Sequence, residues 1–231
     1  MQANRIYQWD IPTRTFHWLL FVLVLLAIAT ALQGGNMMVW HGFIGQLILG
    51  LIVFRLAWGV VGSTYALIGD LVPGLGDIIR YRRGDWPGVG HHPMGALVSI
   101  ALLAVLFVQA VLGLFANDDI AFRGPFSPLV SQETGEFLTG LHRQNLWLIV
   151  GLVAVHVLAV VYLAIARKED LVRPMITGWK VVSDPEAKSA KGGGWIAVLM
   201  ALFFAAIVVW MAAGGPMTVL APPPTPVEAP W

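Results

Sequence analysis

Residues 142–166, HRQNLWLIVGLVAVHVLAVVYLAIA, decide how the rest of the chain is interpreted. From Leu146 to Ala166 there is no Asp, Glu, Lys or Arg, and the stretch is as long as the roughly 17–25 residues that cross a bilayer as a helix. A polar ring inside such a helix is costly and by default functional, which singles out His156. His142 lies 14 residues earlier, which is about 21 Å along a helix and nearly on the same face. The helix therefore offers one imidazole near each membrane surface.

Four further stretches have the same apolar character, and the composition of the chain agrees with them. Hydrophobic residues make up 58% and charged residues 12% of the 231 residues, whereas a soluble domain carries about 25% charged residues. The apolar runs are continuous rather than alternating, which favours helices over strands. We expect an all-α integral membrane protein, in which four transmembrane helices form a bundle and a fifth transmembrane helix follows at the C-terminal end. The predicted spans are residues 16–33, 39–61, 95–115, 146–166 and 195–213.

The distribution of Lys and Arg predicts the orientation of these spans. With the N-terminus in the cytoplasm, eleven Lys and Arg residues fall on the inner side, and only Arg123 and Arg143 fall on the outer side. Positively charged loops stay in the cytoplasm, so we expect a multi-pass membrane protein with its N-terminus in the cytoplasm and its C-terminus outside. Residues 216–231 are rich in Pro and are expected to be extended or disordered.

The histidines fall at two levels once the spans are aligned. His17 opens the first span on the inner side and His41 opens the second on the outer side, so the levels pair His17 with His156 and His41 with His142. Facing imidazoles from two helices suit bis-His ligation of haem b inside a bundle. Because the chain has no Cys, thiolate ligation and covalent haem attachment are excluded. We therefore predict that these four His ligate the iron of two haem b groups, one inner and one outer.

Further residues at these levels are candidates for contacts with the haem. Gly45 follows His41 by one helical turn and would let a flat macrocycle approach the backbone. Arg55 lies inside the second span at the inner level, either as a partner of a propionate or as a side chain that reaches the inner head groups. Arg14 and Arg143 adjoin His17 and His142 and could contact propionates or lipid phosphates.

His91 and His92 stand apart from the two pairs. They precede Pro93, so they lie in a turn at the inner surface. Two interpretations stay open, a contact with a haem propionate or a quinone and a plain role at the entry of the third span. In the first, a histidine that titrates near neutral pH could pass the proton that accompanies quinone reduction.

Four motifs carry a resemblance to a known family: WDIPTRTFHW at 9–18, FRLAWG at 54–59, GHHPMGA at 90–96 and RPMITGWK at 173–180. Together they resemble the bacterial cytochrome b561 family and, more narrowly, the b-type cytochrome subunit of nickel–iron hydrogenases. The resemblance implies a four-helix core with two haem b groups on His17, His41, His142 and His156. It also implies a location in the bacterial inner membrane, with a periplasmic C-terminus, and electron exchange with quinone and with a periplasmic redox protein.

The expected function is electron transfer between the membrane quinone pool and a periplasmic hydrogenase, dehydrogenase or c-type cytochrome. The chain would act as the electron-transfer subunit of an oxidoreductase, in a complex or as a homo-oligomer. One alternative is a superoxide:quinone oxidoreductase, which needs an open, positively charged outer haem edge, and the other is a His-lined metal-ion transporter, which needs ligands at successive depths of one pore. With a net charge of +1, no nucleic-acid partner is expected. The expected division is a di-haem domain at 1–180, a cytoplasmic linker at 181–194, the fifth helix at 195–213 and a periplasmic tail at 214–231.

Overall fold

The computed structural model describes residues 4–84, 89–117, 122–182 and 184–215, and these residues are mostly helical. Five helices are long and apolar enough to cross a membrane, which confirms the predicted fold class. The five are α1 (Ile11–Gln33), α2 (Met37–Val61), α5 (Pro93–Leu114), α6 (Gln132–Ala166) and α8 (Gly194–Ala212). The shorter elements are β1 (Asn4–Tyr7), α3 (Ile68–Leu71), α4 (Leu75–Arg83), α7 (Val172–Thr177) and β2 (Trp179–Val182).

Polar capping residues start two of the spans earlier than the apolar runs suggest. Asp10 accepts a hydrogen bond from the Thr13 amide and opens α1 five residues before the predicted start. Ser131 accepts one from the Thr134 amide, so that α6 begins 14 residues before Leu146. Side-chain oxygens at the N-cap satisfy amides that have no partner within the helix. The first turns of α6 are too polar to count as a membrane span, and they carry His142 beyond the apolar stretch.

A short turn makes α1 and α2 antiparallel neighbours. Gly34 and Gly35 have φ angles of 65° and 54°, in the left-handed region that glycine adopts most readily. The turn returns the chain at once, so that α2 packs along α1. His41 therefore lies close to the turn, at the opposite end of the bundle from His17.

The second helix is the centre of the bundle. It packs against α1, α5 and α8, whereas α6 packs extensively only against α5 among the described spans. Half of the apolar segment of α2 is buried, against 11% in α1 and in α6. α6 thus leaves room on the side that faces α1 and α2, where His156 meets His17 of α1 and His142 meets His41 of α2.

The fifth span lies along α2. Its small side chains Ala197, Ala201 and Ala205 are buried in one apolar cluster with Phe54 and Trp58 of α2. Small residues let two membrane helices approach closely, because association in lipid depends on packing rather than on the hydrophobic effect. α8 contributes no histidine to the site.

A two-stranded sheet joins the N-terminal and C-terminal segments of the four-helix core at one end of the bundle. β1 pairs with β2 in antiparallel register from Asn4 with Val182 to Tyr7 with Trp179. A bridge from Ser63 to Gly192 adds the loop after α2 to the same end of the bundle. We call this end the basic face; it consists of residues 4–10, 62–84, 89–92, 167–182 and 184–193.

The Lys and Arg residues predicted for the inner side lie on or beside the basic face. The opposite end, the outer face, consists of residues 34–36, 115–117, 122–131 and 213–215. Which face is cytoplasmic stays a prediction from charge. The stretch expected as a linker is held to the basic face by bonds from Asn4 Nδ2 to Asp184 O and from Tyr65 OH to Lys188 O. The expected tail at 216–231 and the acidic residues Asp118 and Asp119 lie outside the described residues.

Candidate functional site

The structure brings four of the six histidines together as two facing pairs. The ring centroids of His17 on α1 and His156 on α6 are 6.4 Å apart. Those of His41 on α2 and His142 on α6 are 5.9 Å apart. The pairs are those expected from the alignment of the spans, and α6 supplies one ring to each.

Both separations fit an iron ion bound between two imidazoles. A metal–nitrogen bond to His is about 2 Å long and the ring nitrogen lies about 1.2 Å from the ring centre, so the two centres would be roughly 6.3 Å apart. A direct hydrogen bond between two imidazoles would instead bring the centres closer, to about 5 Å. The rings are thus spaced for an ion that both can ligate, although the ligand roles themselves stay a prediction.

Backbone carbonyls orient both histidines of the outer pair. His41 Nδ1 lies 2.9 Å from Ala27 O of α1, and His142 Nδ1 lies 2.9 Å from Gln109 O of α5. A carbonyl only accepts, so each Nδ1 carries the proton and each Nε2 keeps its lone pair. This hydrogen bond on the second nitrogen is the usual way in which proteins fix the tautomer and aim of a metal-binding imidazole.

A cavity of about 470 Å³ surrounds the outer pair. Helices α1, α2, α5 and α6 all contribute to its mainly apolar wall, which includes Gly45 and Arg143. A Cβ atom added to Gly45 would meet nothing within 4 Å, so the glycine opens the face of α2 toward this space. The volume lies within the range of about 300–1,000 Å³ that small-molecule sites occupy. The outer pair, its tautomers and its cavity together fit a haem b group.

A close approach at a glycine occurs on α5. A Cβ added to Gly113 would lie 3.1 Å from Cε1 of His142, so a larger residue there would press on the ring. The sequence shows Gly113 inside an apolar run without indicating this contact. Its position one turn after Gln109 is the signal that could have suggested it.

Two amide side chains of the outer site were not predicted. Gln109 Nε2 lies 3.2 Å from His142 Nε2, and Asn145 Nδ2 donates to Gln109 Oε1 at 2.9 Å and to Val105 O at 3.2 Å. A glutamine within the predicted span 95–115 is an uncompensated polar group in lipid unless it has a partner. That rule could have marked Gln109 from the sequence alone.

The inner pair has a different environment. His17 Nδ1 is buried and has no hydrogen-bond partner among the described residues. Trp18 contacts the same ring edge-on at a centroid distance of 5.0 Å. The inner imidazoles are therefore positioned by packing, and the ring spacing is the observation that fits a haem there.

A polar cluster at the start of α1 lies beyond the inner pair, toward the basic face. Asp10 accepts hydrogen bonds from Trp58 Nε1 at 3.0 Å and, at a short distance, from Ser63 Oγ. These bonds join the first turn of α1 to the last turn of α2. Because His17 lies two turns into α1, the cluster fixes the position of its ring relative to α2.

The arginines predicted as propionate partners are placed as follows. Arg55 is only 5% exposed and donates from Nη1 to Ala66 O at 2.9 Å, so it does not extend to the lipid head groups. Arg14 donates to Ile176 O and, at 3.4 Å, to Tyr7 OH, which ties α1 to α7 and β1. Arg143 lines the outer cavity. The propionate role of all three stays a prediction.

His91 and His92 lie on the basic face, where each ring packs against a neighbouring aromatic side chain. The ring of His91 packs edge-on against Trp9 at 4.6 Å, and that of His92 against Tyr81 at 4.2 Å. Burial, and secondly the positive charge of Arg55, lowers the pKa of His91 to about 3. Burial also lowers the pKa of His92. His91 is neutral at pH 7, so at a quinone site it would act as a hydrogen-bonding group rather than as the proton store suggested by its ordinary pKa.

A second cavity, of about 220 Å³, opens beside His91 on the basic face. Its wall includes Tyr65, Asp70 and Arg80. His91 Nδ1 is buried and has no hydrogen-bond partner within the described part of the chain. The predicted contact of His91 with a quinone or a propionate would lie in this cavity.

Comparisons with known proteins identify one family. A family model described as prokaryotic cytochrome b561 matches residues 8–178, which include both histidine pairs and well over half of the chain. No curated protein and no solved structure matches it. The narrower resemblance to a hydrogenase cytochrome subunit stays a prediction.

Proposed function

Because the chain belongs to the prokaryotic cytochrome b561 family, we propose that it transfers electrons across the membrane through two haem b groups. Members of the family are membrane b-type cytochromes that bind haem b, generally through His ligands, and serve electron transport. In the proposal, His41 and His142 ligate the outer haem and His17 and His156 the inner one. The chain exchanges electrons with a periplasmic redox protein at the outer face and with the quinone pool at the basic face.

The spacing of the two ring pairs carries the proposal. Centroid distances of 5.9 and 6.4 Å at two levels of one helix match a bis-imidazole site twice. A single pair could arise from packing, whereas two pairs that share α6 and lie 14 residues apart make a ladder between the membrane surfaces. Haem supplies the one-electron chemistry.

The residues of the chain do three things in this function. The four imidazoles bind the irons of the two haems, and the carbonyls of Ala27 and Gln109 orient the two outer imidazoles. Apolar side chains of α1, α2, α5 and α6 exclude water from the outer cavity. In the proposal, Arg143 at the outer cavity and Arg55 at the inner level neutralise propionates.

Replacement of each ligand by Ala tests the assignment. His41→Ala and His142→Ala should remove the same haem, and His17→Ala and His156→Ala the other, because a low-spin iron needs both imidazoles. Haem per protein, measured as the pyridine haemochrome, should fall by about half in each variant, and reduced-minus-oxidised spectra should show which band is lost. If His41→Ala and His142→Ala remove different haems, the pairing is wrong.

The double variant His91→Ala/His92→Ala tests the quinone side and is also a control for the ligands. The two rings pack against Trp9 and Tyr81 and neither is one of the four proposed ligands, so both haems should remain. Reoxidation of the haems by a water-soluble quinone analogue should slow severalfold. Unchanged kinetics with full haem content would remove the basic face as the quinone site.

The orientation is tested separately. A reporter that is active only in the periplasm should be active when fused after Trp231 and inactive when fused after Arg83. The opposite result would invert the protein and place the basic face outside.

A superoxide:quinone oxidoreductase is the second candidate, because Arg143 places a positive charge at the outer cavity where an anionic reductant would arrive. Superoxide-driven haem reduction that is lost in Arg143→Gln would favour it. A metal-ion path is less well supported: within the described ranges, no three His, Asp or Glu side chains cluster as a metal-ion site.

A further inference from the structure

The nitrogen of His142 that would bind iron is already engaged by a side chain. His142 Nδ1 donates to Gln109 O, so its Nε2 is an acceptor, and Gln109 Nε2 donates to it at 3.2 Å. An imidazole nitrogen has one lone pair in the ring plane. It cannot accept this hydrogen bond and bind iron at the same time.

The amide of Gln109 is itself held in this orientation. Asn145 Nδ2, one turn along α6 from His142, donates to Gln109 Oε1 at 2.9 Å. With Oε1 accepting, the NH₂ group of Gln109 must face the imidazole. Asn145 also donates to Val105 O, so the network runs between α5 and α6 with each partner fixed.

We infer that Gln109 caps His142 in the haem-free protein and is displaced when the outer haem binds. The inference rests on the proposed ligation of the outer haem by His41 and His142. The backbone carbonyl of Gln109 keeps the ring in its ligand tautomer throughout. The side chain occupies the ligand position until iron takes it, and the cavity beside it gives the amide room to turn away.

The cap has a measurable consequence. Haem binding has to replace a hydrogen bond whose net contribution is about 0.5–1.5 kcal/mol, so its removal should tighten outer-haem binding by about 2- to 12-fold. Gln109→Met removes the amide, nearly keeps the volume and leaves the backbone acceptor for Nδ1 in place. Gln109→Ala tests the same loss if the thioether disturbs the cavity.

The test is a haem titration of the full-length protein, which is produced without haem and kept in detergent. The protein carries His156→Ala, so that only the outer site binds haem; this variant is the background for the others. Soret absorbance gives the affinity and the association rate. Gln109→Met should bind more tightly and faster than the background. Gln132→Met is the matched control, because it makes the same replacement in the first turn of α6, outside the lining of the cavity; it should leave binding unchanged.

A second measurement observes the cap directly. In haem-free protein with ¹⁵N-labelled His, Gln109→Met should shift the His142 Nε2 resonance, while the tautomer stays with the proton on Nδ1. Equal or weaker haem binding in both Gln109 variants, with the control unchanged, would overturn the cap. If the background still binds haem after His142→Ala, the proposed ligation of the outer haem by His142 is wrong instead. The two failures are therefore distinguishable.

Discussion

The outer and inner histidine pairs share α6 and nearly the same ring spacing, yet they are oriented by different means. Both outer rings donate to backbone carbonyls, Ala27 O and Gln109 O. His17 of the inner pair has its Nδ1 buried without a hydrogen-bond partner in the described part of the chain. The position of α1 is fixed instead by Asp10, which lies at the basic face and bonds to Trp58 and Ser63. One helix thus presents two histidines in different surroundings: hydrogen bonds to carbonyls hold the outer pair, whereas His17 of the inner pair has no such bond among the described residues.

Filling the outer cavity should separate the two sites most sharply. Gly45→Leu places a side chain where a Cβ meets nothing within 4 Å, in the space assigned to the outer haem. Because Leu is a better helix former than Gly by nearly 1 kcal/mol, the helix itself should not weaken. We expect the outer haem to be lost and the inner one kept, as measured by haem stoichiometry and difference spectra.

Gly45→Ala is the matched control and should retain both haems. Two haems in Gly45→Leu would mean that the cavity is not the haem pocket.

Removal of the capping carboxylate should affect the inner pair. Asp10→Ala deletes the acceptor for the Thr13 amide, Trp58 Nε1 and Ser63 Oγ, at a cost of about 2–4 kcal/mol. On heating, the inner haem band should disappear at a lower temperature, while the outer band shifts less.

Ser131→Ala provides the counterpart at the outer face, since Ser131 caps α6 with one bond worth about 1 kcal/mol. It should leave the inner band unchanged. Equal shifts of both bands in Asp10→Ala would show that the bundle melts as one unit and that the two ends are not separately stabilised.

Acid should weaken the basic-face end through His91. Its pKa is about 3 in the folded chain against 6.5 when unfolded, so the unfolded chain binds the proton first as the pH falls. Stability is complete above pH 6.5 and is lost between pH 6.5 and 3, by up to about 2 kcal/mol at pH 5.

The measurement is the unfolding temperature of the haem-loaded protein at pH 8 and pH 5. His91→Gln, which is neutral at both values, should lose less stability than the wild type between them. If the wild type and the variant lose equal stability between pH 8 and pH 5, groups other than His91 cause the acid sensitivity.

The smallest effect concerns the redox potentials. An imidazole whose N–H donates to a carbonyl gives more electron density to iron and favours the ferric state. One such bond, at about 1 kcal/mol, corresponds to about 40 mV for one electron. We expect the outer haem to have the lower midpoint potential, so that electrons run from the outer face to the basic face.

A redox titration of the wild type should resolve two midpoints. Gly45→Leu, if it keeps only the inner haem, assigns the higher one. An inner haem with the lower potential would show that buried charge, such as that of Arg55, outweighs the hydrogen bonds.

The ends of the spans show how far hydropathy reaches. Gln33, Val61 and Ala166 were predicted as helix ends and are found as such, because the apolar runs stop there. The start of α6 at Gln132 was not predicted, since its first turns lie beyond the apolar stretch and are as polar as a loop. Helix length outside lipid depends on caps such as Ser131, which hydropathy does not measure.

In the candidate site, too, some features follow from the sequence and others depend on packing between helices. The pairing of the histidines followed from spacing along single helices, because the rise per residue is fixed. The bonds to Ala27 O and Gln109 O join different helices, and the register between helices depends on packing that one sequence does not encode locally. The contacts of Gln109 and Asn145 do not follow from the sequence for this reason, although a glutamine inside a membrane span indicates a polar partner nearby.

The pairing of β1 with β2 sets an order of events during synthesis. Tyr7 and Trp179 lie about 170 residues apart in the chain, and ribosomes add about 5–20 residues per second. The N-terminal strand therefore has no partner for roughly 10–35 s, until four spans have been inserted. During that interval the first helix, with His17, is held to α2 by Asp10 but lacks the contacts that the sheet makes with the C-terminal end of the core.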